Sequence, residues 1–536
     1  MTTTPRDNIR DESVPPWLEA LRHPPAYPHE VGDIQLIETH LSWVLLTGNW
    51  AYKLKKPLRL PFVDFSTLEK RQAACLEELR LNRRTAADIY DVVLPLTQSA
   101  AGPRFGNSGP VLEYAVRMRQ FPQADVLLAR ASAKQLNAEM MDLLSRSIAE
   151  LHRDAAVAPD DSAFGSPDVV RSEVSECFAA IPRNCLPTVI RNQVDLLVSW
   201  TDREGLRLES HFAARRSNGF VRECHGDLHL GNIVLMDGVP RLFDCLEFNP
   251  ELRFIDIVND VAFVVMDLHD HRCPQFAWQV LNGWLEQTGD FGGMTAFNYY
   301  QVYRALVRAK VAGIRQSQSG LSPVEMSQTQ EQLGGYIEAA ARLSRRAAGA
   351  LILMHGLSGS GKSAVARRLA VEIGGICTRS DVERKRLFGL WPQGRVSTAG
   401  IELYSAAATS RTYDRLLGLA GQLLSDGNTV IADAAFLRLE ERRRFVQLAE
   451  NAGSPWMIVA CEATEEVLER RIQSRLASGR NASDATLPVL QSQRETIDPL
   501  TDQELTRTVH CSTEQDMNWP VTLAAIQKLI PSRLSH

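Results

Sequence analysis

The chain has 536 residues, of which 44% are hydrophobic and 23% charged, and its formal net charge is −5. That length predicts three or four compact units at roughly 100–200 residues each, and the composition is that of an ordinary soluble globular protein. The slight acidity excludes a whole-chain nucleic-acid footprint, and no apolar run approaches the roughly 18–20 residues that span a membrane.

The opening segment, residues 1–27, is polar and carries Pro15-Pro16; it lacks the apolar stretch of a secretory signal. Nine cysteines are scattered without a CxxC pair, which predicts reduced thiols in a cytoplasmic setting and no disulfide framework or zinc site. Residues 28–315 alternate strand-like and helix-like patterns. Residues 40–46 and 50–55 read as two strands joined at Thr47-Gly48-Asn49, a hairpin signal. Residues 66–87 read as a helix, 111–118 as a strand, and 124–220 as mostly helical.

A dense motif follows: His225-Gly-Asp227-Leu-His229-Leu-Gly-Asn232. Phosphoryl transfer needs a carboxylate to orient the acceptor hydroxyl and oxygen ligands to hold Mg²⁺. Asp227 and Asn232 suit one loop entering a cleft, and Asp244, in Leu-Phe-Asp-Cys-Leu, supplies a further ligand from a strand end. Over roughly residues 30–315 the chain resembles the aminoglycoside-phosphotransferase-like family. The resemblance implies a bilobal protein-kinase-like domain with Asp227 as catalytic base, Asn232 and Asp244 as magnesium ligands, and His225 shaping the loop. It further implies that Lys53 meets the nucleotide phosphates and that Glu78 holds that lysine. Lys55 shares a strand face with Lys53 and is a rival; Glu77 is the rival of Glu78. Residues 118–121 would be the adenine hinge, and Asp260 a helix start. His152 is read as packing. The chain departs from kinases in having only Gly48 between its first strands, with no GxGxxG.

Residues 316–330 (QSQSGLSPVEMSQTQ) are polar and turn-rich, so 316–349 is expected to be a linker, with a helix at 331–346. From 350 to 536 strands and helices alternate again, at 351–354, 376–379, 429–432 and 456–460 for the strands, which predicts a parallel sheet covered on both faces. Gly356-Leu-Ser358-Gly359-Ser360-Gly361-Lys362-Ser363 fits the P-loop pattern, strand before and helix after. Backbone N–H groups there cradle phosphate, Lys362 reaches the β- and γ-phosphates of ATP, and the Ser363 hydroxyl binds Mg²⁺. Asp433 closes a strand at the end where ligands bind in α/β folds and is placed to serve the magnesium. Asp381 is the candidate base and Arg384 the candidate clamp for an acidic group of the acceptor. Arg471 and Arg475, in an arginine cluster, are candidates for a phosphate-clamping lid.

Over residues 350–500 these features resemble gluconate-kinase-like, polynucleotide-kinase-like and zeta-toxin-like P-loop kinases, in which an Asp-x-x-Arg after the second strand implies the roles given to Asp381 and Arg384. The fold expected is thus α+β and α/β: a kinase-like domain followed by a P-loop NTPase parallel-sheet domain. Together the two resemblances imply a bacterial, cytoplasmic, bifunctional ATP-dependent phosphotransferase acting on hydroxyls of small molecules, without a membrane partner. The alternative reading has the P-loop domain phosphorylate a nucleic-acid end or a nucleotide-sugar, while the N-terminal domain binds nucleotide and regulates.

Overall fold

The computed structural model describes residues 15–60, 63–106, 108–316, 321–345, 348–390, 403, 405–478, 486–514 and 519–530. The protein is a mixed α/β chain that divides into two units, one made of residues 1–130 and 225–253, the other of 131–224 and 254–536. Among the described residues no helix is long and apolar enough to cross a membrane.

The first unit is built on a six-stranded antiparallel sheet in the order Gln35–Glu38, Ser42–Leu46, Trp50–Lys55, Val111–Arg119, Tyr90–Ser99 and Gly102–Phe105. The expected hairpin is present: Ser42–Leu46 pairs antiparallel with Trp50–Lys55, and Gly48 takes the left-handed φ of +101° that the turn requires. One sheet face packs Leu45, Tyr52, Leu54 and Phe105 against Leu18, Leu21 and Tyr27. Val116, Tyr90 and Ala51, in a second apolar cluster, pack with Cys75 of the helix Leu68–Ala86. Thr67 caps that helix by accepting from the Lys70 N–H. A short hairpin, Ile233–Met236 with Val239–Leu242, turns at Asp237-Gly238, both at positive φ. It returns the chain from the Asp227 loop to Asp244.

The second unit contains a five-stranded parallel sheet in the order Ile376–Arg379, Val430–Asp433, Leu351–His355, Trp456–Glu462 and Thr508–Ser512. The first four strands are the expected ones; the fifth was not foreseen. Every residue of Leu351–His355 is buried, as befits a central parallel strand covered on both faces. The expected linker is largely helix. Ser322 and Glu325 form a capping box, and the helix Pro323–Leu343 begins there, eight residues before the predicted start.

Helices at 131–224 and 254–316 belong to this same unit. Trp284 of the helix Pro274–Thr288 donates its indole N–H to His152 Nδ1 at 3.0 Å. The other nitrogen, Nε2, then carries the proton and donates to Asp260 at 3.1 Å. Cys224 lies in the same buried cluster, but both imidazole nitrogens are committed, so His152 packs as expected and offers no lone pair to a metal. Asp260 sits inside the first turn of the helix Ile257–Asp270, whose N-cap is Asp256.

The loop that leaves the Val430–Asp433 strand is held by an unusual degree of pairing. Phe436 is buried yet adopts a φ of +47°, a conformation that persists in a bulky residue only when its surroundings fix it. Its N–H donates to the Tyr413 hydroxyl at 3.1 Å, and its carbonyl meets His355 at 3.0 Å and Arg442 at 3.2 Å. Arg442 is fully buried and forks onto Glu504 at 2.7 and 3.2 Å, with further bonds to Leu437 and Pro499 carbonyls. Replacing one partner strands a desolvated charge, so Arg442→Leu is expected to cost about 3–5 kcal/mol. Urea denaturation of the full chain reads this as a lowered midpoint, and a wild-type midpoint would contradict it.

Candidate functional sites

The first site grows from the strand Trp50–Lys55. Its two-residue period puts Lys53 and Lys55 on one face, and both reach the same carboxylate. Lys53 Nζ lies 2.8 Å from Glu78 Oε1 and Lys55 Nζ 2.5 Å from Glu78 Oε2. Lys53 also pairs with Asp244, and Lys55 with Glu247. The lysine alternatives of the sequence are therefore both engaged, but differently. Lys55 is sealed in the interior among acids, whereas Lys53 connects the buried Glu78 to Asp244, whose side chain is 42% exposed. Glu77 faces elsewhere, pairing with Arg80 at 2.7 Å and Arg253 at 2.6 Å.

Burial alone would raise the Glu78 carboxyl and lower both lysines. The two ammonium groups bring Glu78 down to about 2, and the surrounding carboxylates hold Lys53 well above its ordinary value. Glu247 moves the other way, raised by its burial.

Asp244 has a φ of +64°, and its N–H is fixed by the Tyr90 hydroxyl at 3.1 Å. The next residue, Cys245, donates its N–H to Asn82 at 2.9 Å. A non-glycine residue in this conformation, locked from several sides, is the kind of local strain that functional sites hold. In the loop before it, Asn232 Nδ2 donates to the Asp227 carbonyl at 2.9 Å and to its carboxylate at 3.0 Å. His229 Nε2 stands 3.4 Å from the same carboxylate. His225 bridges the loop: Nε2 meets the Phe243 carbonyl at 2.9 Å and Nδ1 accepts the Asp227 N–H at 3.3 Å. Asp227, Asn232 and Asp244 are thus carried by one folded-back segment. With Nδ2 given to Asp227, Asn232 keeps its carbonyl oxygen, and that oxygen and the Asp244 carboxylate are hard donors of the kind Mg²⁺ takes. The turn between the first two strands is short and free of glycine, held by Thr39 on Ser42.

The second site is a cavity of about 880 Å³ in the second unit. It brings together Ser358, Gly359, Gly361, Lys362, Ser363, Asp381, Arg384 and Asp433, eight of the twelve residues nominated for this site from the sequence. Gly356 and Ser360 complete the loop beside it. Gly356 has a φ of +137°, and a Cβ there would lie 2.4 Å from the Cys461 carbonyl, so only glycine fits. Lys362 Nζ folds over the loop, donating to the Gly356 and Leu357 carbonyls at 2.7 and 2.8 Å. Ser363 opens the helix Lys362–Ile373 and Asp433 ends its strand in the same cavity; a hydroxyl and a carboxylate are a donor pair that fits Mg²⁺.

Asp381 is no helix cap: the helix Ser380–Leu387 has Arg379 at its N-cap, with no side-chain capping bond. Asp381 instead lines the cavity, 3.7 Å from Arg384. Four more arginines line it and were not singled out from the sequence: Arg367, Arg379, Arg438 and Arg444. Arg379 stands opposite Asp433 in the parallel register.

The lid arginines fare differently. Arg471 is turned onto the back of the P-loop, donating to the Gly359 carbonyl at 3.2 Å and to the Thr513 hydroxyl at 2.8 Å. Thr513 in turn donates to the Ser360 carbonyl at 2.8 Å. In this conformation Arg471 braces the loop and does not line the cavity. The Arg475 side chain lies outside the described residues.

A family model described as an AAA domain matches residues 351–500, the P-loop part. The uncharacterized protein Rv2004c of Mycobacterium tuberculosis is 32% identical over 465 residues, which cover 86% of this chain and 90% of that protein. A gluconokinase from Sinorhizobium meliloti is 24% identical over 34% of this chain and 95% of its own, with a TM-score of 0.25. A choline/ethanolamine kinase family protein from Mesorhizobium loti is 10% identical over 59% of this chain and 94% of its own, with a TM-score of 0.36.

The geometry separates Glu78 from its neighbour. Glu78→Ala removes the buried carboxylate that Lys53 and Lys55 share and is expected to cost about 3–5 kcal/mol, whereas Glu77→Ala costs at most about 1 kcal/mol. Because folding depresses the Glu78 carboxyl, its contribution is whole above the ordinary value of 4.5 and is lost as pH falls toward about 2. Denaturation midpoints of wild type and Glu78→Gln are therefore expected to converge between pH 4.5 and about 2. A gap that persists at the acid end contradicts the pairing.

Proposed function

The chain belongs to one family with the mycobacterial protein Rv2004c, and we propose that it works as a bifunctional ATP-dependent phosphotransferase with two separate transfer sites. An ATP-dependent kinase or phosphotransferase is the class to which the P-loop, its flanking strand and helix, and the AAA-domain match belong. The observation that supports the two-site reading is that each unit carries a lysine, oxygen-bearing side chains and a further carboxylate, Lys53, Asn232, Asp244 and Asp227 in one and Lys362, Ser363, Asp433 and Asp381 in the other.

At the P-loop site, Lys362 and the loop N–H groups hold the β- and γ-phosphates, and Ser363 and Asp433 hold magnesium, which neutralises charge on the transferring phosphoryl group. Asp381 accepts the proton of the acceptor hydroxyl, and Arg384 holds an acidic part of the acceptor. At the other site, Lys53 holds phosphate, kept in place by Glu78, and Asn232 and Asp244 hold the metal. Asp227 orients the acceptor hydroxyl, with Asn232 and His229 fixing the Asp227 carboxylate. The acceptors are small hydroxyl compounds on this reading. The lack of a GxGxxG run before the strand Trp50–Lys55 favours one narrower alternative, in which that unit binds nucleotide and transfers nothing, and the P-loop domain acts on a nucleic-acid end.

The test is phosphate transfer from γ-labelled ATP to a panel of sugars, amino alcohols, aminoglycosides and 5′-hydroxyl oligonucleotides, using the full chain. Asp227→Asn and Asp381→Asn are each expected to lower transfer to a different acceptor by about two orders of magnitude or more. If Asp227→Asn changes transfer to nothing while Asp381→Asn abolishes it, the narrower alternative stands. If neither substitution alters any transfer, the proposal fails altogether.

A further inference from the structure

The edge strand of the parallel sheet, Ile376–Arg379, has a neighbour that is not a strand. Asn282, on the helix Pro274–Thr288, donates Nδ2 to the Gly375 carbonyl at 2.9 Å and accepts the Cys377 N–H on Oδ1 at 2.8 Å. One carboxamide thus takes the place of a strand partner. One helical turn further along lies Glu286, and its carboxylate receives Arg379 Nη1 at 2.7 Å. The Glu286 carbonyl also accepts from Arg386 Nη2 at 2.8 Å. The helix lies well outside residues 351–500, which the AAA-domain model matches.

Arg379 stands between two acids. Its far end is bonded to Glu286; its Nε faces Asp433 Oδ2 at 3.5 Å and makes no hydrogen bond. The Asp433 contact is therefore one of charge alone. All three side chains are largely withdrawn from solvent, with exposures of 23% for Glu286, 12% for Arg379 and 4% for Asp433. A guanidinium so near a carboxylate would ordinarily close into a bidentate fork, which takes two of the carboxylate's about four lone pairs and neutralises the charge that draws a cation.

We propose that Glu286 is a positioning residue for the P-loop site: it holds Arg379 back, so that Asp433 keeps its oxygen for magnesium. The inference rests on the P-loop reading above and adds to it a residue supplied by a helix upstream of the P-loop fold. Without Glu286, Arg379 closes onto Asp433 and competes with the cation. Nucleotide held only by the loop N–H groups and Lys362 is untouched.

The experiment measures binding of a fluorescent ATP analogue to the full chain by titration, once in EDTA and once across a Mg²⁺ series. All proteins carry Asp244→Asn, which silences metal binding at the other site, and Lys362→Ala identifies the P-loop signal. Glu286→Gln is expected to raise the Mg²⁺ concentration for half-saturation about fivefold or more, a change of about 1 kcal/mol. Affinity in EDTA stays within about twofold. Glu286→Asp lies between, and Glu286→Gln/Arg379→Met returns the Mg²⁺ requirement to the parent value or below. An unchanged Mg²⁺ requirement in Glu286→Gln overturns the inference. So does an equal weakening with and without metal, or failure of the double substitution to restore binding. If Lys362→Ala leaves the signal intact, the P-loop reading itself falls, and the inference with it.

Discussion

A charge taken out of water must be paired, and a pair that shares one partner among three groups fixes all three at once. That constraint organises this protein. Glu78 lies between Lys53 and Lys55, and its loss would take one acidic partner from both lysines at once. The strand Trp50–Lys55, the helix Leu68–Ala86 and the segment that carries Asp244 and Glu247 are bound into one framework. Asp244 is strained in its backbone and half-exposed in its side chain, and it holds its position because Lys53, Tyr90 and the Cys245–Asn82 bond hold it. Arg379 repeats the motif with opposite sign, one cation between Glu286 and Asp433.

The arrangement divides labour between buried and accessible groups. Lys55 and Glu247 are sealed in and face one another. Lys53 and Asp244, the outer members of the same network, are the ones with access to a ligand. The P-loop site shows the same division. Arg442 and Glu504 are interior and hold the loop beyond Asp433, while Lys362, Asp381 and Arg438 line the cavity. Preorganisation of this kind costs nothing at the moment of reaction, since the ordering is complete before a substrate arrives.

How far the sequence reveals this depends on the distance over which each feature is specified. The P-loop is local: eight consecutive residues, a strand and a helix declare it. The Asp227–Asn232 loop is nearly as local. Lys53 against Lys55 could not be separated by a strand period that puts both on one face, and the structure shows that both meet Glu78. Glu77 and Glu78 are adjacent on a helix, and only burial distinguishes them. Arg442 stands in the run Arg442-Arg443-Arg444, which reads as a solvated helix face, yet it is fully buried because its partners lie near residue 500. Glu286 was invisible for the same reason, with its partner 93 residues away. The strand Thr508–Ser512 is half polar, as an edge strand tends to be. The Ser322–Glu325 capping box was legible, but the surrounding serines and glutamines read as loop.

The carboxamide of Asn282 has a consequence for how the chain is made. An uncovered edge of a parallel sheet invites pairing with another chain, and parallel sheets form slowly because their contacts are distant in sequence. Here the group that covers the edge is synthesised first. The helix Pro274–Thr288 leaves the ribosome before Ile376–Arg379 exists, so the edge strand emerges into a chain that already holds its cover. The order of segments in the polypeptide thereby serves as protection for the nascent sheet.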